Sequence, residues 1–318
     1  MLLDIVFLLI GFVIIIKSSD VLVDAASSLA LKLRVPKMLI ALTIVSFGTC
    51  APEVAISFRS IANGDGVMAF ANVIGSSIVN VFLIIGLASF IRPIKVRHAT
   101  IKKELPLLLI VTTAFSILML DSVFNPLTDN IFSRRDSIIL ILLFCMFLLY
   151  LVGMLFKRNK KDEEVEKGKY SPFVSCVLLL ITIILIIYSS DLIVNSAKSI
   201  AKGLNISEKA ITMTAIVIGT SLPEMIMTVI SAKKGEFDMA IGNIIGTNIF
   251  NICIVLGLPI LIFGNIALEG FGFIDILVVF LSSFLLFIFA RSERVVSKKE
   301  GIIMLLVFVL YYVYMLFF

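Results

Sequence analysis

The sequence predicts an all-α membrane protein with ten transmembrane helices in two inverted five-helix repeats. Three observations carry this. First, 60% of the 318 residues are hydrophobic and the mean hydropathy is +1.15. Soluble domains are nearer 45–50% apolar, and several runs here exceed the ~18 apolar residues that span a bilayer. Second, the chain repeats itself. Gly48-Thr49-Cys50-Ala51-Pro52-Glu53 returns as Gly219-Thr220-Ser221-Leu222-Pro223-Glu224. Asn72-Val73-Ile74-Gly75-Ser76-Ser77-Ile78-Val79-Asn80 returns as Asn243-Ile244-Ile245-Gly246-Thr247-Asn248-Ile249-Phe250-Asn251. The offset stays at 171 residues from Asp20/Asp191 through Gly86/Gly257. Third, the basic residues fall unevenly on alternate loops, as topology signals do.

Helices are expected at about 2–31, 37–62, 67–91, 103–121 and 135–156, and again at 172–202, 208–234, 238–263, 271–290 and 299–317. The first runs past residue 17 without a small-residue cleavage site, so it reads as a spanning helix and not as a removed signal. The first repeat is residues 1–156, with its duplicated core at about 37–91. A charged cytoplasmic linker follows at 157–171, and the second repeat is 172–318, with its core at about 208–263. With the N-terminus outside, the cytoplasmic loops carry twenty Lys and Arg and the outer loops six, a clear positive-inside pattern. Ten spans put the C-terminus outside as well. Five spans per repeat is an odd number, so the second copy enters the membrane in the opposite sense to the first. Matching motifs then meet near the midplane, approached from opposite sides.

The net charge of +5 does not indicate nucleic-acid binding, because the cations sit in short loops between apolar runs. Cys50, Cys145, Cys176 and Cys253 lie in apolar runs without metal spacing, so neither a disulfide framework nor a zinc site is expected. His98, the only histidine, falls in a basic loop and reads as a solvated residue. Nothing resembles a nucleophile–base pair, and no obligate protein partner or cofactor is indicated. Membrane lipid is the surrounding partner.

The chemistry lies in the repeated motifs. Pro52 lacks an N–H and clashes with the carbonyl four residues back, at Gly48, so carbonyls around Gly48–Thr49 are expected to be left over. Pro223 does the same to Gly219 and Thr220. Within a bilayer, such groups persist only facing protein, water or a ligand. Thr49, Glu53 and Ser57 share a helix face with Ser60 close by, as do Thr220, Glu224 and Thr228 with Ser231. Asn72, Ser76 and Asn80 make a second stripe, repeated by Asn243, Thr247 and Asn251. Four such stripes facing inward make an oxygen-rich cage, suited to a hard cation that takes about 6–8 oxygens. Glu53 and Glu224 together balance one divalent or two monovalent cations, and protons compete for two carboxylates so close. The plainer reading is a kinked helix with packing asparagines. Recurrence of a mid-span Glu in both copies argues against it. Gly75, Gly86, Gly246 and Gly257 read as close-packing positions. Asp20 and Asp191 read as structural or vestibule residues, and Asp65, Glu236 and Asp238 as solvated turn residues.

At these residues the chain resembles the cation/calcium antiporter superfamily, and within it the prokaryotic sodium/calcium exchangers. The matches are 48–53 with 75–80, and 219–224 with 246–251. The resemblance implies that Glu53 and Glu224 ligate calcium with the Thr49 and Thr220 carbonyls. It implies that sodium shares both glutamates and uses Ser76, Thr247, Ser221 and the carbonyls of Ser46 and Val217. Asn80 and Asn251 would complete the middle of the cluster. It also implies alternating access by sliding of the first and sixth helices over a fixed core. Exchange of about three sodium per calcium would then move one net charge per cycle. Two departures stand out. Cys50 replaces the family's usual Ser, and a thiol is a poorer ligand for a hard cation, so one sodium site is expected to be weakened. Asn251 replaces the Asp of potassium-dependent relatives, which disfavours potassium dependence.

The expected function is secondary active antiport, sodium for calcium, in a prokaryotic cell membrane. Proton-driven calcium or cation antiport is the first alternative and a passive cation channel the second. Sodium dependence at fixed pH separates the first, and counterflow separates the second.

Overall fold

The computed structural model describes residues 2–120, 131–156, 168–203, 218–267 and 271–317. The first half begins with α1 (Leu2–Leu33). It stops where Arg34 turns left-handed (φ 54°) two residues before Pro36, a residue that cannot continue a helix. Next come α2 (Lys37–Thr49) and α3 (Ala51–Ala62), bent by 50° at Cys50. The expected 37–62 helix is therefore broken where Pro52 predicts. Then come α4 (Gly66–Ile91), β1 (Ile94–Lys95), α5 (His98–Lys102), α6 (Glu104–Leu118), β2 (Ile131–Phe132) and α7 (Arg134–Phe156).

The second half contains α8 (Pro172–Gly203), α9 (Leu222–Lys234), α10 (Phe237–Phe263), β3 (Ile266–Ala267), α11 (Phe273–Ser292), β4 (Val295–Val296) and α12 (Lys298–Phe317). Six of these helices are long and apolar enough to cross a membrane, or seven with the bent pair α2–α3 as one span. Of the other expected spans, 103–121 corresponds to α6, 299–317 to α12, and 208–234 contains α9. Residues 208–217 of the last, and linker residues 157–167, lie outside the described residues.

Local sequence explains the helix ends. Asp65 accepts from Met68 N–H at 3.0 Å to start α4, and Gly235 (φ 82°) ends α9. Ser133 with Asp136 starts α7 as Ser297 with Glu300 starts α12, a reciprocal cap. Wider π turns interrupt α2 at Ala41–Val45, α4 at Val79–Ile85 and α10 at Asn251–Leu256. The last two sit on the paired residues Asn80 and Asn251. Such turns recur at functional sites because they re-aim side chains.

The matching helices α4 and α10 lie side by side in opposite senses. Arg92, just past the end of α4, donates to Lys233 O at 2.5 Å and lies over the Phe237 ring at the start of α10. A side chain at Gly66, the start of α4, would instead meet Ile266, just past the end of α10. Thus α4 and α10 run antiparallel. Two antiparallel strand pairs mark the two ends of the bundle: Ile94 opposite Val296 and Lys95 opposite Val295 at one, Ile131 opposite Ala267 and Phe132 opposite Ile266 at the other. Each pair joins the two halves. Near the first, α12 closes on α4, where a Cβ at Gly301 would sit 2.8 Å from Gly86 O; only glycine permits that approach.

Apolar packing divides into two clusters. The larger, with Phe70, Phe82, Phe115 and Phe147 at its centre, joins α4, α6, α7, α10, α11 and α12. The smaller lies along the seam between α1 and α8, with Leu22, Ala26, Ile186 and Ile193, and reaches α2, Met227 and Met239. Large apolar side chains face outward, including Leu149 (72% exposed), Leu180 (66%) and Leu310 (69%). In water such patches would be a liability, whereas in lipid they are the expected surface.

Candidate functional site

The site forms where the two helix breaks meet. Cys50 (φ −73°, ψ 1°) and Ser221 (φ −86°, ψ 6°) hold corresponding non-helical positions, and each is followed by a helix with Pro in its first turn. That turn carries Glu53 in α3 and Glu224 in α9, both 0% exposed. The Gly48 carbonyl, expected to be left over, is taken by a backbone N–H at the cap. Cys50 N–H reaches Ser46 O at 3.1 Å and Val54 N–H reaches Cys50 O at 3.0 Å.

Glu53 and Glu224 lie within electrostatic reach of each other; the Thr220 side chain faces Glu53 and the Thr49 side chain faces Glu224. All four carboxylate oxygens are buried, with no well-formed hydrogen bond among the described residues. A buried polar atom without a partner is costly, and here the orphans cluster. Asn72 and Asn243 spend their amide N–H groups on the broken helices: Asn72 donates to Ser57 Oγ (3.1 Å) and Glu53 O (3.2 Å), and Asn243 to Thr228 Oγ1 (3.1 Å). Their Oδ1 atoms stay unpartnered, as do Asn80 Oδ1, Asn251 Oδ1 and Nδ2, and Thr247 Oγ1. The donors are mostly used, and what remains is an excess of acceptor oxygen around two carboxylates. That composition calls for a cation.

The remaining expected residues fall as follows. Ser76 and Thr247 are buried on α4 and α10, and Ser221 Oγ lies 3.4 Å from Ser76 Oγ across the two copies. Ser46 Oγ donates to Ala41 O (2.6 Å) and Asn243 O (3.0 Å), while its carbonyl already accepts from Cys50 N–H and from Thr49 Oγ1 (3.2 Å). Cys50 is fully buried beside Thr247, with both glutamates in electrostatic range. Val217 lies outside the described residues. Asn248 is a further buried polar residue beside the site. Its Oδ1 accepts from Asn80 Nδ2 (2.8 Å) and its Nδ2 donates to Ser77 O (3.4 Å), tying α10 to α4 beside the site. Its counterpart in the first copy is Ser77, so the repeat pattern does not flag it.

Close approach of α2 and α10 is built into the sequence. A Cβ at Gly246 would lie 2.9 Å from Leu42 Cα, so glycine there lets Ser46 reach Asn243.

The surroundings of the site differ toward the two ends. A cavity of about 360 Å³ runs beside Pro52 and Thr220, between α3 and the second half of α8, where Asp191 and Asn195 line it. It lies toward the β2–β3 end, because α3 runs from the break to that end. At corresponding positions on the opposite route stand Met227 and Val23, both 0% exposed in one apolar cluster. Beyond them Lys234 pairs with Asp20 (2.9 Å) and with Asp24, and Lys169 pairs with Asp24 (2.9 Å). The matching aspartates Asp20 and Asp191 thus have different surroundings, one clamped and one lining open space.

Among the described residues no group of three or more His, Cys, Asp or Glu side chains gathers into a metal-holding cluster. The two glutamates are the charged groups of the site, and the other oxygens are neutral.

The family model for sodium/calcium exchanger proteins matches residues 3–153 and 174–317. The chain is 36% identical over 271 residues to inner membrane protein YrbG of Escherichia coli, covering 82% of this chain and 81% of that one. It is 28% identical to sodium/calcium exchanger MaX1 of Methanosarcina acetivorans, over 96% of each chain. Among solved structures, the sodium-calcium exchanger NCX_Mj soaked with sodium and strontium superposes with a TM-score of 0.83 at 28% identity, over 98% of each chain.

Proposed function

We propose a transport cycle for this chain from one premise: it belongs to the sodium/calcium exchanger protein family. The protein is a secondary active antiporter that exchanges sodium for calcium across a membrane. The observation that carries the mechanism is the pair of buried glutamates, one from each repeat, with unpartnered carboxylate oxygens among neutral oxygen atoms. Calcium would take Glu53 and Glu224 with the Thr49 and Thr220 carbonyls. Sodium would take the same glutamates with Ser76, Thr247 and Ser221, the carbonyls of Ser46 and Val217, and Asn80 and Asn251 at the centre. Because both ions need the same two carboxylates, filling the cage with one excludes the other. That exclusion, not a separate coupling device, makes the carrier an exchanger. A vacant cage leaves two bare carboxylates in a dry interior, which is costly and opposes reorientation of the empty carrier.

Alternation would come from ten helices in two inverted repeats. The antiparallel course of α4 and α10, and the pairing of each half with the other at both ends of the bundle, support this architecture. The α1–α8 pair packs on the rest through its own apolar seam, which supports its sliding as a unit over a fixed core. The cavity beside Pro52 and Thr220 supports access from the β2–β3 end in this form. The positive-inside rule assigns that end to the outside, because the β1–β4 end carries Arg92, Lys95, Arg97, Lys102, Lys103, Arg291 and Arg294. Calcium-45 counterflow in sealed proteoliposomes tests the cycle. Uptake should require calcium or sodium on the far side, and uptake into vesicles lacking both would indicate a pore.

A further inference from the structure

At the β1–β4 end, away from the cation cage, a pocket of about 450 Å³ opens between α5, the start of α6 and the end of α11. Its floor is apolar, formed by Ile101, Pro106 and Phe287, and its rim is cationic, formed by His98, Lys102, Arg291 and Arg294. No acidic side chain lines it. Ion pairs elsewhere at this end join Lys37 to Glu236 (2.8 Å) and Arg97 to Asp238 (2.9 Å). Among the described residues neither these pairs nor any side-chain hydrogen bond uses a rim cation. The nearby acids are Glu104, buried at the start of α6 and accepting from Tyr150, Glu300, occupied by Ser292 and Ser297, and Glu293, exposed in the α11–β4 turn. Arg294 sits at φ 58°, a conformation that favours glycine. Its carbonyl accepts from Val96 N–H at 2.8 Å, which holds the strained turn against the strand pair. A long cationic side chain is therefore fixed at a position whose backbone favours none.

We propose that this pocket binds the headgroup of an anionic phospholipid. Two arginines with a lysine and a histidine above an apolar floor fit a phosphodiester, which guanidinium groups engage through paired N–H donors. The floor identifies a lipid and not free phosphate. Within about a turn of it, Phe284 and Ile288 on α11 and Ile110 on α6 are 36%, 40% and 51% exposed on the outward faces of the bundle. An acyl chain leaving the floor would continue along these side chains. Basic pockets between helices at the cytoplasmic boundary are a known physical solution for such headgroups. This inference stands apart from the transport reading, since no pocket residue belongs to the cage.

The test uses the full-length protein in neutral detergent, by native mass spectrometry with phosphatidylglycerol, phosphatidylcholine or inorganic phosphate added. Wild type should retain phosphatidylglycerol at least about five-fold over phosphatidylcholine at equal concentration. Arg291→Gln with Arg294→Gly should abolish the preference, and the glycine relieves the strained backbone so that the fold is kept. Equal retention of both lipids by wild type would overturn the proposal whatever the variant does. So would an unchanged preference in the folded variant, or inorganic phosphate displacing the lipid at equimolar concentration.

Discussion

At the scale of single residues, the account rests on Glu53 and Glu224. Replacing either with Gln keeps size and removes one of the two negative charges that offset the cation. Calcium-45 uptake should fall at least about ten-fold, the factor that 1.4 kcal/mol represents, with expression and chromatographic behaviour unchanged. Retained uptake in either variant would remove the paired-carboxylate mechanism. Cys50 offers a gain in place of a loss. Its thiol is buried beside Thr247 at the rim of the cage, and Ser221 stands at the matching position. Cys50→Ser should therefore lower the sodium concentration for half-maximal exchange by about two- to five-fold, read from sodium-dependent calcium efflux. An unchanged sodium dependence would show that this position does not limit the site. These residues were legible in the sequence because repetition at a constant offset marks them twice. Asn248 was not legible, because its counterpart is Ser77 and only the fold sets it against Asn80.

At the scale of elements, two contacts hold the observed form together. Gly246 admits α2 against α10, and a Cβ there would meet Leu42 backbone at 2.9 Å. Gly246→Val should destabilise the protein by about 1–3 kcal/mol, the usual cost of overpacking, measured as a lowered midpoint in a thermal unfolding assay in detergent. An unshifted midpoint would mean the helices part freely. On the proposed cycle, the cluster of Lys234 with Asp20, Asp24 and Lys169 would hold the route toward the β1–β4 end shut. Partly exposed pairs are worth about 0–1 kcal/mol, so Lys234→Ala should shift the balance of forms by at most about five-fold. In a background with the exposed Cys145 and Cys176 replaced by Ser, a Val23→Cys thiol should then label faster from that end. Equal labelling with and without Lys234 would contradict the latch. Long elements were legible from apolar run lengths and from the Pro and Gly that end them. The strand pairs and the short helix α5 were not, because two-residue strands carry no periodicity and their partners lie far away along the chain.

At the scale of the whole molecule, an odd number of helices per repeat predicts opposed halves; the structure shows one matching pair, α4 and α10, running antiparallel. The pairing of α1 with α8 came only through the family resemblance, since both helices are apolar on most faces and nothing in their periodicity names the partner. If each cycle moves one net charge, the membrane potential contributes about 2.3 kcal/mol per 100 mV. An inside-positive potential should then accelerate calcium entry coupled to sodium exit, and a rate indifferent to potential would indicate electroneutral exchange. The central claim is that sodium and calcium compete for one cage made of both repeats. Its most direct test is calcium-45 uptake into proteoliposomes loaded with sodium and diluted into sodium-free buffer at constant pH. The account predicts uptake that grows with the outward sodium gradient and vanishes when sodium is equal on both sides. Uptake driven by a pH gradient in the absence of sodium would contradict it.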